Sequence, residues 1–365
     1  MKARIALLPG DGIGPEVTAA AAAALEQIAR SFGHDFRFTT ALIGGAAIDA
    51  GQPPLPPATL DTAKAGDAVL LGAVGDPRFD HLPPASRPES ALLALRKALG
   101  VFANLRPARS WPGLENAGPL KPEVLSGTDL IVVRELTGGL YYGEPRGIDE
   151  DGASAVNTMR YTREEIARVA RVAFTLARGR RKRLVSVDKA NVLEVSRLWR
   201  QVVTDVARDY PNVALTHEFV DAAAMKLALA PASFDVLLME NMFGDILSDE
   251  AGAVCGSLGL LPSASLGHGP GLFEPVHGSA PTIAGKDIAN PIGAMLSAGM
   301  LLSDGLGLAE EGRAITAAVE RTLAAGHRTA DISPAGHGAI GTREFADTVV
   351  SEFVGRPFRA ADRRG

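Results

Sequence analysis

RLVSVDKANVLEVSRLWRQVVTDVARDYPNVALTHEFVDAAAMKLALAPASFDVLLMENMFGDILSDEAG, from Arg183 to Gly252, is the stretch on which the fold turns. It holds three short runs rich in apolar and β-branched residues: Leu184 to Val187, Val213 to Phe219 and Phe234 to Met239. Segments with helical spacing separate them, Glu194 to Asp209 and Asp221 to Leu229. Strands alternating with helices of this length predict an α/β sheet. The same rhythm extends outward. A helix is expected over Arg163 to Arg178 and a strand over Asp129 to Val133. Towards the N-terminus, Ile5 to Leu8 and Ala68 to Leu71 read as strands, and Val17 to Arg30 and Glu89 to Leu99 as helices. GQPPLPP (51–57) and GDPRFDHLPPASRP are loops. The polar, glycine-rich GGLYYGEPRGIDEDGASAVNTMRY suggests a protruding hairpin arm, and the chain after Ile292 reads as helical to about Leu323. No internal repeat is present.

Bulk properties narrow the function. The chain has 365 residues, 46% hydrophobic and 22% charged, which fits a globular protein of about two domains or one large α/β domain. A net charge of -5 speaks against a nucleic-acid binder. The single basic block, RGRRKR from Arg178 to Arg183, reads as a solvated loop. One cysteine, Cys255, excludes an intrachain disulfide and a thiolate zinc cluster, and suits a reducing cytoplasm. The N-terminal apolar run is too short for a signal peptide, and no apolar stretch is long enough to span a membrane.

The chemistry-bearing residues begin with Asp245 and Asp249, at i and i+4 on one helix face. They are either first-turn carboxylates stabilised by the helix dipole or ligands of a cation. A third carboxylate, Asp221, also sits where a strand passes into a helix. Three carboxylates without a thiolate favour Mg2+ or Mn2+ over zinc. Arg96, Arg106 and Arg134 each lie beside an apolar segment, where a guanidinium needs a carboxylate partner. Lys189 follows a buried strand; it is a candidate base, although pairing with Asp188 is the simpler reading. Tyr141 is a candidate proton donor or a packing aromatic. GDGIGPE (Gly10 to Glu16) misses the G-x-G-x-x-G dinucleotide spacing. HGSAPTIAGKDIANP (His277 to Pro291) is a longer small-residue loop, either an irregular surface loop or one that allows close backbone approach to a ligand.

Taken together, LPGDGIGPEV, RPESALLALRK, FANLRPA, VRELTGGLYYGEPRG, SVDKANVLEV, NMFGDILSDEA, LPSASLG and FEPVHGSAPTIAGKDIANP resemble, in order and over essentially the whole chain, the β-decarboxylating dehydrogenases of the isocitrate/isopropylmalate family. The resemblance implies a two-domain, non-Rossmann α/β fold. One discontinuous NAD-binding domain would span 1–103 and 256–365. A second domain, 104–255, would carry substrate, metal and a dimer-forming arm at about 138–160. It also implies a homodimer with shared active sites, NAD as cofactor and Mg2+ or Mn2+ as metal.

By the same resemblance, Arg96, Arg106 and Arg134 hold the malate carboxylates, and Asp221, Asp245 and Asp249 bind the metal. Lys189, Asn191 and Asp221 reach the site of the other subunit. Tyr141, Lys189 and Asp221 are catalytic. Glu89, Leu92 and Leu93 receive the substrate's side chain, and the two leucines suit an isopropyl group better than a third carboxylate. The cofactor contacts are Ile13, Glu274, His277, Gly278, Ser279, Ala280, Thr282, Ile283 and Asn290. The expected reaction is NAD-dependent oxidation of (2R,3S)-3-isopropylmalate at C2, then metal-assisted β-decarboxylation to 4-methyl-2-oxopentanoate and CO2 in leucine biosynthesis. Thr282 departs from the Asp of NAD-specific members, and Thr282-Ile283 also lacks the Lys-Tyr pair of NADP users, so NAD is expected with weaker discrimination. Sister enzymes for isocitrate, homoisocitrate, tartrate or D-malate are the nearest rivals. A non-catalytic regulatory subunit is disfavoured because Tyr141, Lys189 and the three aspartates are all present.

Overall fold

The structure is a computed structural model, and it describes residues 1–333 and 338–354. The chain forms two compact units, one of 1–100, 111–117 and 256–365, the other of 101–110 and 118–255.

In the first unit the Lys2–Gly10 strand pairs in parallel with Asp35–Thr40 on one side and Ala68–Ala73 on the other. Gly271–Pro275 continues the sheet in parallel, and Pro262–Gly267 pairs with it antiparallel. Ala68–Ala73 is buried along its whole length, which explains its unbroken apolar sequence: a parallel strand covered on both faces shows no alternation. The Gly14–Phe32 helix buries Val17, Ala20, Ala21, Ala24, Leu25 and Ile28, an i, i+3, i+4 stripe. It packs against the Ile292–Met300 and Thr342–Val354 helices. The helical run expected from Ile292 to Leu323 is in fact broken. A π turn at Leu301–Gly305 and Gly307 (φ +71°) separate Ile292–Met300 from Ala309–Ala324.

In the second unit the Val236–Met239 strand is central and wholly buried. It is parallel to Asp129–Glu135 and to Arg183–Asp188, and Ala214–Phe219 adds beyond the latter. Val101–Arg109 lies antiparallel to Asp129–Glu135. The Arg163–Gly179 helix opens with a capping box between Thr162 and Glu165, then buries Ile166, Val169, Ala170, Ala173, Phe174 and Ala177. The glycine-rich segment is indeed a hairpin: Arg146–Ile148 pairs with Ala155–Asn157, and all six residues are exposed.

The basic block is not simply solvated. Arg180 Nε donates to Asp235 at 2.8 Å and its Nη2 to Asp129 at 2.9 Å, while Arg181 Nη2 donates to the Asp129 carbonyl at 2.8 Å. The Asp235 side chain is fully buried, so two arginines of the run serve to neutralise it. Among the described residues no helix is long and apolar enough to cross a membrane.

Candidate active site

The second unit gathers four of the expected residues around one carboxylate. Arg134 lies near the end of the Asp129–Glu135 strand, and the Asn241–Val254 helix starts two residues after the neighbouring Val236–Met239 strand. Glu240 caps that helix by accepting from the N–H groups of Met242 and Phe243 at 3.0 and 2.9 Å. Two turns of this helix then present Asp245 and Asp249 on one side. Asp245 Oδ1 accepts from Arg134 Nη1, and its Oδ2 accepts from the Tyr141 hydroxyl at 2.7 Å. Arg106 Nη1 lies 3.5 Å from Asp245 Oδ1, and donates to Asp249 Oδ1 at 3.1 Å and to Ser248 Oγ at 2.8 Å. Arg106 Nε donates to Asn104 Oδ1 at 2.7 Å. The Arg134 guanidinium also sits over the Tyr141 ring, 5.6 Å from its centroid.

The electrostatics follow from partial burial. Burial pushes the Asp249 carboxyl above its usual range, opposed by Arg106 and reinforced by the like charge of Asp245. Burial, then the hydrogen bond to Asp245, pushes the Tyr141 phenol up to about 12. Two carboxylates strained by each other's charge, with side chains 33% and 52% exposed, fit a hard divalent cation. Asp221 does not join them. Among the described residues no three His, Cys, Asp or Glu side chains form a metal-holding group.

Asp221 instead opens the Val220–Leu229 helix and accepts from Lys189 Nζ at 2.6 Å. That contact holds the Asp221 carboxyl below its usual range. The simpler reading of Lys189, a pair with Asp188, is therefore wrong. Asp188 is buried and takes a bidentate contact from Arg200, Nε at 2.8 Å and Nη2 at 2.9 Å, plus the N–H of Ala190 at 2.9 Å. Those bonds fix the turn that presents Lys189 and the exposed Asn191.

In the first unit, Arg96 Nη2 donates to Glu274 at 2.8 Å, both side chains being 8% exposed. Glu89 is exposed and Leu92 and Leu93 are half-buried on the same Pro88–Leu99 helix. The Gly10–Gly14 turn is not an open phosphate cradle. Ile13 N–H donates to the Ser279 carbonyl at 2.8 Å, and a Cβ on Gly12 (φ +57°) would lie 1.9 Å from that oxygen. The glycines thus bring the turn and the His277–Ser279 segment into contact. His277 Nδ1 lies 2.9 Å from the Gly278 carbonyl, while its Nε2 is buried without a partner. Burial holds the imidazole below its usual range, hence neutral, and the orphaned nitrogen fits a polar ligand such as a nucleotide base. Ala280 adopts a left-handed conformation (φ +40°), and Thr282 is exposed beside the half-buried Ile283. Asn290 is bonded to Asp331 Oδ2 at 3.0 Å and to the N–H of Ile292 at 3.0 Å.

Several residues that hold these groups were not singled out by sequence reasoning: Asn104, Tyr161, Arg200, Asn241, Ser248 and Asp331. The only signal was position, as with Asn241 directly after an apolar strand.

This arrangement, carboxylates and arginines around a tyrosine in one unit and a neutral-histidine loop in the other, defines the chain's class. The chain belongs to the isocitrate/isopropylmalate dehydrogenase family, whose model matches residues 4–349. It is similar to a 3-isopropylmalate dehydrogenase from Nitratidesulfovibrio vulgaris, 58% identical over 96% of this chain and 99% of that protein. A 3-isopropylmalate dehydrogenase from Anaeromyxobacter dehalogenans is 55% identical over 97% and 100%. Among solved structures, isocitrate dehydrogenase from Methylococcus capsulatus superposes with a TM-score of 0.85 at 36% identity, over 96% of this chain and 99% of that one.

Proposed function

We propose that the protein oxidises (2R,3S)-3-isopropylmalate at C2 with NAD and decarboxylates the product to 4-methyl-2-oxopentanoate and CO2, a cytoplasmic step of leucine biosynthesis. The observation that carries this reading is the meeting of Arg134 and Tyr141 on Asp245, with Arg106 bridging to Asp249. The names of relatives at 55–58% identity support the choice of acid, and so do Leu92 and Leu93, which offer an apolar wall and no charge.

Arg96, Arg106 and Arg134 bind the two carboxylates of the substrate, exchanging their present carboxylate partners for it. Asp245 and Asp249 of one subunit, with Asp221 of the partner subunit, would hold Mg2+ or Mn2+. That cation, when bound, polarises the C2 oxygen and stabilises negative charge on it. Ile13, Glu274, His277–Ala280, Thr282, Ile283 and Asn290 would seat NAD, which would supply the hydride acceptor. Lys189 of the partner subunit takes the C2 hydroxyl proton through water. Tyr141 delivers a proton to the carbon that has lost CO2.

The subunit sharing rests on three features. Lys189 and Asp221 pair with each other and stand apart from Asp245 and Asp249. The hairpin arm is exposed. Met225, Leu229 and Ile246, on two helices that pack together, expose 56%, 65% and 58% of their surface.

NADH formation with Mn2+ tests the reading, comparing 3-isopropylmalate, isocitrate, D-malate and tartrate, each with NAD and NADP. The expected result is the highest kcat/KM for 3-isopropylmalate with NAD. A preference for another acid would overturn the role given to Leu92 and Leu93, and a preference for NADP the role given to Thr282.

A further inference from the structure

Asn241 takes no part in the chemistry above, yet its side chain is fully buried and bonded at both ends. Its Oδ1 accepts from Arg134 Nε at 3.0 Å and Nη2 at 2.8 Å. Its Nδ2 donates to the carbonyls of Leu136 at 3.2 Å and Gly138 at 3.0 Å. Those carbonyls belong to the turn that runs straight into Gly139–Tyr141. The backbone N–H of Asn241 donates to the Tyr161 hydroxyl at 3.1 Å. The Tyr161 ring in turn lies against the same turn. A Cβ on Gly138 would fall 2.4 Å from ring atom Cε1, and one on Gly139 (φ +69°) 2.6 Å from the hydroxyl oxygen. Glycine at 138 and 139 is therefore the condition for this contact, and Asn241 and Tyr161 clamp the turn from two sides.

No other side chain of this size offers the combination used here. Asparagine places one acceptor and two donors at a single branch point; aspartate has only acceptors and leucine neither. The two halves of the amide serve two different residues. The acceptor orients the guanidinium of Arg134, and the donors fix the turn that carries Tyr141. Arg134 and Tyr141 then meet on Asp245.

We propose that Asn241 is a positioning residue that sets Arg134 and Tyr141 in register over Asp245, its oxygen controlling the first and its amide nitrogen the second. The proposal deepens the function read above and rests on it for its kinetic test alone. Asn241→Asp keeps the acceptor for Arg134 and loses the donations to the turn. Its kcat falls about tenfold or more, while KM for 3-isopropylmalate stays within about threefold of wild type. Asn241→Leu loses both, so KM rises about tenfold on top of the fall in kcat. Wild-type constants per folded molecule in both variants, or equal losses of kcat with KM unmoved in both, overturn the split.

A second measurement needs no substrate. The protein is labelled with 13Cζ-tyrosine, and the Tyr141 resonance is assigned by its loss in Tyr141→Phe. This resonance shifts in Asn241→Asp and also in Tyr161→Phe, which removes the hydroxyl that accepts from Asn241 N–H and donates to Glu240 Oε2. A Tyr141 resonance unmoved in every folded variant overturns the proposal. A wild-type protein that fails to oxidise 3-isopropylmalate refutes the functional reading and leaves this second test standing.

Discussion

Tyr141 holds its proton tightly, for a reason that can change during a reaction cycle. Burial is the larger cause of its raised pKa, and the Asp245 carboxylate is the next; the Arg134 guanidinium over the ring works against both. The phenol, pushed up to about 12, is therefore protonated throughout the neutral range and available as an acid. Any positive charge shared with Asp245 weakens the carboxylate's hold on the phenol, but burial, the larger cause, remains, so the phenol keeps its proton through the neutral range. Two consequences follow at the residue scale. Tyr141→Phe should lower kcat by about 10²–10⁴ with little change in KM, since it removes a proton donor and leaves the arginines in place. And kcat of the wild type should show no loss from deprotonation of this group between about pH 7 and pH 9, because its folded-state pKa is raised rather than lowered. Steady-state kinetics of both proteins across that range checks both; a Tyr141→Phe variant with wild-type kcat would remove Tyr141 from the proton transfer.

At the scale of elements, the site depends on how closely the Asn241–Val254 helix lies on the Asp129–Glu135 strand. Gly244 marks the contact: a Cβ there would be 2.6 Å from Arg134 Cγ and 2.7 Å from its Cβ. Alanine in a helix interior returns about 1 kcal/mol of propensity relative to glycine, but overpacking of this kind costs about 1–3 kcal/mol. The near-backbone atoms of Arg134 have little room to yield, so the cost should prevail. Gly244→Ala is expected to unfold at lower urea and to raise KM for the acid, because Arg134 must tilt to admit the methyl group. An unchanged urea midpoint with an unchanged KM would show that the helix simply slides.

This contact also shows what the sequence makes legible. Val236–Met239 and Ala68–Ala73 could be read because strands buried on both faces are uniformly apolar. The Val101–Arg109 strand was not read, because Asn104 and Arg106 interrupt the pattern; both are buried and bonded to each other, which no periodicity reveals. The same holds for the site. Asp245, Asp249, Arg106, Arg134 and Tyr141 were named from their types and the family motifs. Asn241, Tyr161 and Ser248, which hold them, carry no charge and announce themselves only through geometry. Lys189 was named, but its partner was assigned to the adjacent Asp188, since the bidentate claim of Arg200 on Asp188 comes from a helix twelve residues on.

At the scale of the whole molecule, one chain brings together two of the three carboxylates proposed as metal ligands and keeps the third elsewhere. Asp245 and Asp249 share a helix face, while Asp221 pairs with Lys189, and no group of three forms among the described residues. A divalent cation that takes six or more oxygen ligands is poorly served by two half-exposed carboxylates. The exposed apolar side chains of Met225, Leu229 and Ile246 give a second copy a surface to cover. If Lys189 and Asp221 serve the partner's site in a two-fold dimer, each site combines Arg96 of one subunit with Lys189 of the other. The prediction is quantitative. Lys189→Ala and Arg96→Ala homodimers should each be inactive, the first lacking its base and the second a substrate anchor in both sites. After random subunit exchange about half the dimers are mixed, and each mixed dimer has one site with both residues intact and one with neither. Mixing should therefore restore about a quarter of wild-type activity. Were every site built from a single chain, each would keep its own defect and mixing would restore nothing. Native mass spectrometry of differently labelled subunits establishes that exchange has occurred, so that zero recovery in an exchanged sample would place Lys189 and Arg96 in the same chain's site.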